Sequence, residues 1–302
     1  MVKKRSFSYA KYGYIFCIPF VLAFLAFHFY PTIRTILLAF TDCKGLGNTN
    51  LHFLTGDKIF KNFKTILNND TFRLSLKNTV LIWVTNFIPQ IVFALLFTAW
   101  FTSRRNKIKG QGFFKVVFYM PNIITAATVA ILFNCIFGYP KGPVNDLLVS
   151  LGWRQEAFYF TNSTTASRLI VAFIQFWMWY GYTMIILISG VLGINPEIYE
   201  AADLDGANDW QTFWKITVPN LRSILIYTLI TALIGGLSMY DIPKMFNNGN
   251  PANSTLTTSV FIYNQAFAGS YMYARAAAAS LILFVIIGIC SVFVFMTMRD
   301  KK

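Results

Sequence analysis

Charged side chains are scarce in this 302-residue chain. Asp, Glu, Lys and Arg make up only 13% of it, while 56% of the residues are hydrophobic and 18% are aromatic. Soluble domains contain roughly 25% charged residues. So little polar surface cannot cover this much apolar bulk in water. The composition excludes a soluble enzyme, a nucleic-acid-binding protein and a disordered linker, and it predicts a polytopic membrane protein.

Cysteine and histidine are too few and too dispersed to build a metal site. The cysteines are Cys17, Cys43, Cys135 and Cys290, which form no CxxC pair, and only two histidines are present. No ligand set with the spacing of a zinc site can be assembled from them. We therefore expect no metal, and we interpret three of the cysteines as small hydrophobic residues in or beside apolar segments.

Six segments are apolar enough to cross a bilayer, which requires about 20 helical residues. They are residues 14–30, 79–101, 116–137, 169–192, 224–239 and 277–298. The first is short if it ends at Pro31, but residues 33–40 could extend it. It lacks the small residues of a signal-peptide cleavage site, so we expect it to remain uncleaved. The sequence predicts an all-α protein with six transmembrane helices in one domain over residues 1–302.

The net charge of +14 would indicate a nucleic-acid partner in a soluble protein. Here the basic residues cluster at the ends of apolar segments, so we expect no nucleic acid and use them to predict orientation. Residues 1–11 and 104–115 contain nine basic residues in 23 positions, whereas residues 41–77, 138–168 and 239–275 contain eleven in 105. By the positive-inside rule, both termini and the 104–115 loop are cytoplasmic.

The loop between the fourth and fifth spans, residues 193–223, is rich in acid although it lies on the same cytoplasmic side. Five of the chain's twelve carboxylates are there, namely Glu197, Glu200, Asp203, Asp205 and Asp209. Asn195 followed by Pro196 predicts the N-cap and first residue of a short helix, whose dipole favours acidic residues in its first turns. We therefore expect the acidic residues of this loop to interact with something other than the membrane surface.

A second short helix is predicted in the same loop. Gly206 interrupts the first helix, Asn208 or Asp209 can cap the second, and Pro219 would end it before the fifth span. Its aromatic and apolar side chains are Trp210, Phe213, Trp214 and Ile216. A short exposed helix with aromatic side chains is suited to docking into a groove on a partner.

This loop resembles the EAA loop of permease subunits in binding-protein-dependent ABC importers. The matching residues are Glu200, Ala201, Ala202, Asp205, Gly206, Ala207, Phe213, Ile216 and Pro219, with Val218 where the family has leucine. The Asp-Gly-Ala form is similar to that of sugar permeases of the maltose and glycerol-3-phosphate type. The alternative for Glu-Ala-Ala alone is three common residues on a solvated, capped helix.

The resemblance implies a type I ABC importer permease fold in the bacterial inner membrane. The second short helix would be a coupling helix inserted into a cytoplasmic ATPase, Glu200 and Gly206 would shape the loop, and Ala207 would allow close approach. Two ATPase subunits, a second homologous permease and an extracytoplasmic sugar-binding protein would complete the machine. Because the chain has no GxxxxGK[ST] motif, ATP and Mg²⁺ would be bound by the ATPase and no cofactor by this chain.

Polar residues within the spans are candidates for a cargo path. Asn86 and Gln90 share a face of the second span, Gln175, Trp179 and Tyr182 share a face of the fourth, and Ser238 lies on a polar face of the fifth. Amides can pair with sugar hydroxyls, and aromatic rings can stack on a sugar. The alternatives are that amides and small residues hold helices together, and that aromatic residues mark the membrane interface.

The near absence of charge within the spans disfavours an ion-coupled carrier and favours energy delivered from outside. A membrane-embedded enzyme would need sets of intramembrane Asp, Glu, His or Cys, and the spans offer only His28 and scattered cysteines. The sequence therefore predicts import of a sugar or oligosaccharide by alternating access. Glycerol phosphate or a polyol is the alternative cargo.

Overall fold

The computed structural model describes residues 10–45, 51–105, 108–269 and 271–299. Within those ranges the chain is helical, and it contains no β-strand beyond an isolated bridge between two residues. The prediction of an all-α protein is confirmed. The basic residues at positions 3, 4, 5, 107, 301 and 302, which contribute to the predicted orientation, lie outside the described residues.

Fifteen α-helices are described, and two of the joints between them are π-helical turns. In chain order they are α1 Ala10–Phe24, α2 Tyr30–Ala39, α3 Lys61–Leu67, α4 Asp70–Thr102, α5 Gln111–Ile123, α6 Ala126–Ile136, α7 Pro143–Ser150, α8 Thr164–Leu192, α9 Pro196–Leu204, α10 Asp209–Thr212, α11 Val218–Asn220, α12 Arg222–Leu237, α13 Asp241–Asn247, α14 Thr258–Phe267 and α15 Tyr273–Met298. The turns are Leu25–Phe29, between α1 and α2, and Phe213–Thr217, between α10 and α11.

Five continuous segments of the described chain are long and apolar enough to cross a membrane. They are Lys11–Ala39, Asp70–Thr102, Thr164–Leu192, Arg222–Asn247 and Tyr273–Met298. The bent pair of α5 and α6 makes a sixth if it is counted as one span. The predicted set of six is thus matched by five long segments and one bent pair.

The first span is longer than residues 14–30 because the helix does not end at Pro31. Pro31 lies in the first turn of α2, directly after the π-helical turn. The altered hydrogen-bond register there accommodates a residue that has no N–H to donate. The alternative extension through residues 33–40 is confirmed as far as Ala39, where α2 ends.

The predicted span over residues 116–137 is not a single helix but a bent pair of helices. α5 and α6 meet at an angle of 93°. Ile124 and Thr125 have extended backbones at the joint, and the Thr125 hydroxyl caps α6 by accepting a hydrogen bond from the Thr128 N–H at 3.3 Å. An N-cap satisfies a free N–H and starts a new helix, so α6 does not continue the direction of α5.

The described residues form two compact units, one from the ranges 1–67 and 264–282 and the other from the ranges 68–263 and 283–302. In the first unit, Ala39 at the end of α2 is buried in a cluster with two alanines of α15. The second unit contains the whole acidic loop and all the candidate residues of the cargo path.

α8 is the central helix of the second unit. It shares one buried apolar cluster with α4, α6 and α13, and a second with the later part of α4 and the start of the fifth span. α5 approaches it at Gly181, where an added Cβ would lie 1.9 Å from the Phe118 carbonyl oxygen. Close backbone approach at a small residue is typical of helix contacts in membranes.

A network of hydrogen bonds between polar groups joins α4 and α8 to the segment before α14. The Arg168 guanidinium donates to the Ser254 carbonyl at 2.9 Å and to the Asn78 side-chain oxygen at 3.1 Å. The Asn78 amide then donates to the carbonyls of Asn253 and Leu256, at 2.7 and 3.3 Å. Asn78 is only 1% exposed, so its partners have no ready replacement in water.

Replacing Asn78 with leucine is expected to destabilise the protein by about 2–3 kcal/mol, because it leaves Arg168 and two carbonyls with unmade hydrogen bonds. The thermal unfolding of the detergent-solubilised protein measures this change. The control is Asn220→Leu, because Asn220 is exposed and, among the described residues, its side chain bonds only to the Ile216 carbonyl of its own helical turn. If Asn78→Leu loses no more stability than Asn220→Leu, the structural importance of this hydrogen-bond network is contradicted.

Candidate functional site

The first helix of the 193–223 loop, α9, begins as the sequence predicts. The Asn195 side chain accepts a hydrogen bond from the Glu197 N–H at 3.1 Å, and Pro196 occupies the first helical position. Further along α9, Glu200 is exposed and Ala202 is buried. Ala201 is exposed beside them, so the Glu-Ala-Ala segment lies on a helix with one inward-facing position.

The turn after α9 has the bonding pattern of a Schellman motif. The Gly206 N–H donates to the Asp203 carbonyl at 3.2 Å, and the Ala207 N–H donates to the Ala202 carbonyl at 3.0 Å. Gly206 has a φ of +76°, which a glycine adopts without the penalty that a Cβ would bring. Asp205 is the exposed C-cap residue. Glycine is therefore required at this position by the backbone.

The second helix is capped by Asn208 rather than by Asp209. The Asn208 side chain accepts from the Gln211 N–H at 2.8 Å, and the Gln211 side chain accepts from the Asn208 N–H at 3.0 Å, which completes a capping box. The helical segment continues through the π-helical turn and ends at Asn220, one residue beyond Pro219. We call residues 209–220 the coupling helix, after the role that the resemblance implies.

The coupling helix has one buried side and one exposed aromatic side. Phe213 is buried beneath the loop and Ile216 is half-buried. Trp210 is 61% exposed and its ring lies 5.4 Å from the ring of Trp214. Leu204, at the end of α9, is 90% exposed. The loop thus presents an apolar surface made of Leu204, Trp210 and Trp214.

Two arginines whose positions in the sequence indicate only membrane orientation contact this loop. Arg104 and Arg105 follow the end of α4 and form ion pairs with Glu200, Asp203 and Asp209. The acidic side chains of the loop are therefore partly neutralised by basic side chains of the same chain. The signal in the sequence for these contacts was a basic loop and an acidic loop on the same predicted side of the membrane. The spacing of residues along the chain does not show which basic residue pairs with which acidic one.

A cavity of about 370 Å³ lies between the loop and the ends of α4 and α8. Phe101 and Val191 line it from the two long helices, and Tyr199, Asp203 and Phe213 line it from the loop. Within the described residues, no group of three or more His, Cys, Asp or Glu side chains is arranged to hold a metal ion.

The structure separates the predicted path residues into two groups. Asn86 and Gln90 are buried in the second unit, where the Asn86 amide donates to the Ile82 carbonyl at 3.0 Å and the Gln90 amide donates to the Thr183 hydroxyl at 2.9 Å. The Gln90 bond joins α4 to α8. The Gln90 amide therefore acts as the helix-contact alternative describes, whereas the Asn86 amide bonds within α4.

The second group is accessible. Gln175 and Tyr182 are half-buried on α8, and Trp179 between them is 43% exposed. The rings of Trp179 and Tyr182 are perpendicular, with centroids 5.7 Å apart. Ser238 is also exposed, and its carbonyl accepts a hydrogen bond from the Ser259 hydroxyl at 3.0 Å. Aromatic faces beside an amide and a hydroxyl are suited to contact with a polyhydroxylated ligand.

Comparison with known proteins identifies the class. The family described as "Binding-protein-dependent transport system inner membrane component" matches residues 72–302. The chain belongs to this family and is a multi-pass permease subunit of an ABC transporter. The resemblance inferred from the 193–223 loop is confirmed.

Individual relatives cover nearly the whole chain. The multiple sugar-binding transport system permease protein MsmF of Streptococcus mutans is 31% identical over 93% of this chain and 93% of its own length. The lactose transport system permease protein LacF of Rhizobium radiobacter is 29% identical over 96% and 95%. The arabinooligosaccharides transport system permease protein AraP of Bacillus subtilis is 30% identical over 94% and 88%.

The fold is also known from a solved structure. A chain in the crystal structure of a bacterial ABC transporter involved in the import of the acidic polysaccharide alginate superposes with a TM-score of 0.80 and 23% identity, over 95% of this chain and 94% of that chain. The predicted fold of an ABC importer permease is confirmed.

Proposed function

We propose that this permease imports a sugar or oligosaccharide across the cytoplasmic membrane of a bacterium, with both termini in the cytoplasm and residues 1–302 acting as one domain. The observation that carries the proposal is the closed, capped loop at the ends of α4 and α8 with its exposed apolar surface. The relatives LacF, AraP and MsmF are named as transport proteins for lactose, arabinooligosaccharides and multiple sugars. These names support a carbohydrate cargo.

The proposed mechanism is alternating access driven by a separate ATPase. The coupling helix docks into a cleft of one of two ATPase subunits through Trp210 and Trp214, while Glu200 and Gly206 maintain the shape of the loop and Ala207 allows close approach. ATP and Mg²⁺ are bound by those subunits. Closure of the ATPase dimer moves the coupling helix, and the contact with α4 and α8 carries the motion into the membrane.

The remaining partners are a second homologous permease, or a second copy of this chain, and an extracytoplasmic sugar-binding protein. The cargo path passes Gln175, Trp179 and Tyr182 of this chain, with Ser238 at its side. An exposed polar face inside a bilayer is costly unless it faces protein or water. Its exposure in the single chain supports a location beside the second permease.

The test of the proposal is the ATPase activity of the complex reconstituted in proteoliposomes. We expect hydrolysis to be stimulated only when the binding protein carries the matching sugar. The panel includes mono- and oligosaccharides, polyols and glycerol phosphate. Stimulation by glycerol phosphate would favour the alternative, although the centres of the six predicted spans contain no Lys or Arg to bind an anion. No association with any ATPase would refute the coupling role of the loop.

Replacing Trp179 with alanine is expected to reduce sugar uptake by about tenfold, because an aromatic face that contacts a sugar contributes on the order of 1–2 kcal/mol. Uptake of radiolabelled sugar at saturating binding protein measures the change. The control is Phe284→Ala, which removes another exposed aromatic ring, 72% exposed on α15. Equal uptake by the two variants would exclude Trp179 from the path.

A further inference from the structure

Arg105 contacts both short helices of the 193–223 loop and the turn between them. Its Nη2 donates to the Ala207 carbonyl at 2.8 Å and lies 3.6 Å from Asp203 Oδ1. Its Nε lies 3.5 Å from Asp209 Oδ1. Asp203 belongs to α9, Ala207 to the turn and Asp209 to the coupling helix. One guanidinium therefore spans the angle between the two helices.

The residues before Arg105 hold the same carboxylates. Arg104 Nη1 lies 3.6 Å from Asp203 Oδ2, and its Nη2 lies 4.0 Å from Glu200 Oε1. The Ser103 hydroxyl donates to Asp209 Oδ2 at 2.6 Å. Because Ser103 directly follows α4, these contacts connect the loop to the end of a long helix that crosses the membrane.

No single one of these ion pairs is strong. The side chains of both arginines are about half exposed, and exposed pairs contribute little individually. The arrangement gains from its geometry, because a planar guanidinium with fixed donors loses less freedom per contact when it binds several acceptors at once. The surroundings of Gly206 are otherwise open, with no atom within 4 Å of an added Cβ. Besides these contacts, the Tyr199 hydroxyl of α9 lies 3.2 Å from the Thr217 hydroxyl of the coupling helix. The arginine contacts differ from that bond because they also reach the turn itself, at the Ala207 carbonyl.

We propose that Arg105 is a positioning residue that fixes the coupling helix relative to α9 and α4. With Arg105 in place, a displacement of the coupling helix is transmitted to α4; without it, rotation about the turn at Gly206 absorbs part of the displacement. Arg104 and Ser103 secure the same carboxylates. This inference rests on the proposed function, because only a permease driven by an ATPase has such a displacement to transmit.

The experiment measures cargo uptake and ATP hydrolysis together in proteoliposomes that contain the full complex. Arg105→Gln is expected to lower the cargo moved per ATP by about tenfold while hydrolysis continues. The double variant Asp203→Asn with Asp209→Asn removes the charges that Arg105 contacts and is expected to lower the ratio similarly. Adding Arg105→Gln to that pair should cause little further loss, because both ion pairs of Arg105 are already removed and only its bond to the Ala207 carbonyl remains.

The matched control is Lys109→Gln, which removes one positive charge from the same cytoplasmic segment. Lys109 is exposed, and the described residues provide no ion pair for it. A ratio for Arg105→Gln equal to that of Lys109→Gln would overturn the proposal, as would losses that multiply in the triple variant. If Arg105→Gln does not assemble with the ATPase, the double asparagine variant decides in the same way, and an unchanged ratio there overturns the proposal.

The two hypotheses fail differently. A wild-type complex without cargo-dependent hydrolysis would refute the proposed function. A wild-type complex that couples normally, with an Arg105→Gln variant that also couples normally, would refute only the positioning role.

Discussion

Replacing Gly206 with proline is expected to reduce cargo uptake by about 100-fold, with little change in the amount of protein in the membrane. Gly206 has a φ of +76°, whereas proline holds φ near about −65°. The substitution also removes the N–H that donates to the Asp203 carbonyl at 3.2 Å. The coupling helix would then leave α9 in a different direction. Uptake and ATP hydrolysis by the reconstituted complex measure the effect.

Gly152 provides an unusually close control because it ends α7 with the same backbone geometry. Its φ is +70°, and its N–H donates to the Val149 carbonyl at 3.0 Å. Leu151 before it has φ −79° and ψ −2°, against −77° and 0° for Asp205. We expect Gly152→Pro to retain most of the uptake. Equal losses in the two variants would reflect backbone strain in general and contradict a specific role for the loop.

Replacing Gly181 with alanine is expected to destabilise the protein by about 3 kcal/mol or more. The added Cβ would lie 1.9 Å from the Phe118 carbonyl oxygen and 2.6 Å from the carbonyl carbon. These are backbone atoms of α5, so no side-chain rotation can relieve the overlap and α5 has to separate from α8. The midpoint of thermal unfolding and the monodisperse fraction after detergent extraction measure this loss.

The control for Gly181→Ala is Gly288→Ala, a glycine in the membrane helix α15 with no atom within 4 Å of an added Cβ. Alanine is expected to stabilise that helix by about 0.5–1 kcal/mol, because glycine loses more conformational entropy when it is ordered. If Gly181→Ala unfolds at the same temperature as Gly288→Ala, the close approach of α5 to α8 is contradicted.

The helices and caps of the loop could be predicted because their causes are local. Asn195 accepts a bond from Glu197 two residues away, and Asn208 exchanges bonds with Gln211 three residues away. Gly206 marks the turn because few other residues adopt its backbone angles. The long apolar segments were recognisable for a similar reason, since burial in lipid depends on composition and length rather than on partners.

The contacts that the sequence did not reveal join distant positions. Arg105 and Asp209 are separated by more than 100 residues, and no local spacing relates them. The right-angle joint between α5 and α6 was also missed, because an apolar run has the same hydrophobicity whether it is straight or bent. Its local signals are Pro121 near the end of α5 and Thr125, which caps α6, and neither residue by itself specifies a right angle.

The path residues illustrate a further limit. Helical spacing placed Asn86 with Gln90, and Gln175 with Trp179, on shared faces. It could not distinguish a face that packs against α8 from a face that stays accessible, because both need polar groups with partners. The structure separates them, since Gln90 bonds to Thr183 while Trp179 remains 43% exposed.

The connection between Arg105 and the 193–223 loop also bears on the engineering of hybrid permeases. A graft of residues 193–223 alone would carry its caps and its glycine turn into a host, but it would leave behind the guanidinium groups that face its acids. The host would have to offer arginines at the corresponding point after its own second span. The transplantable module is therefore discontinuous, made of the short segment 103–105 and the loop together.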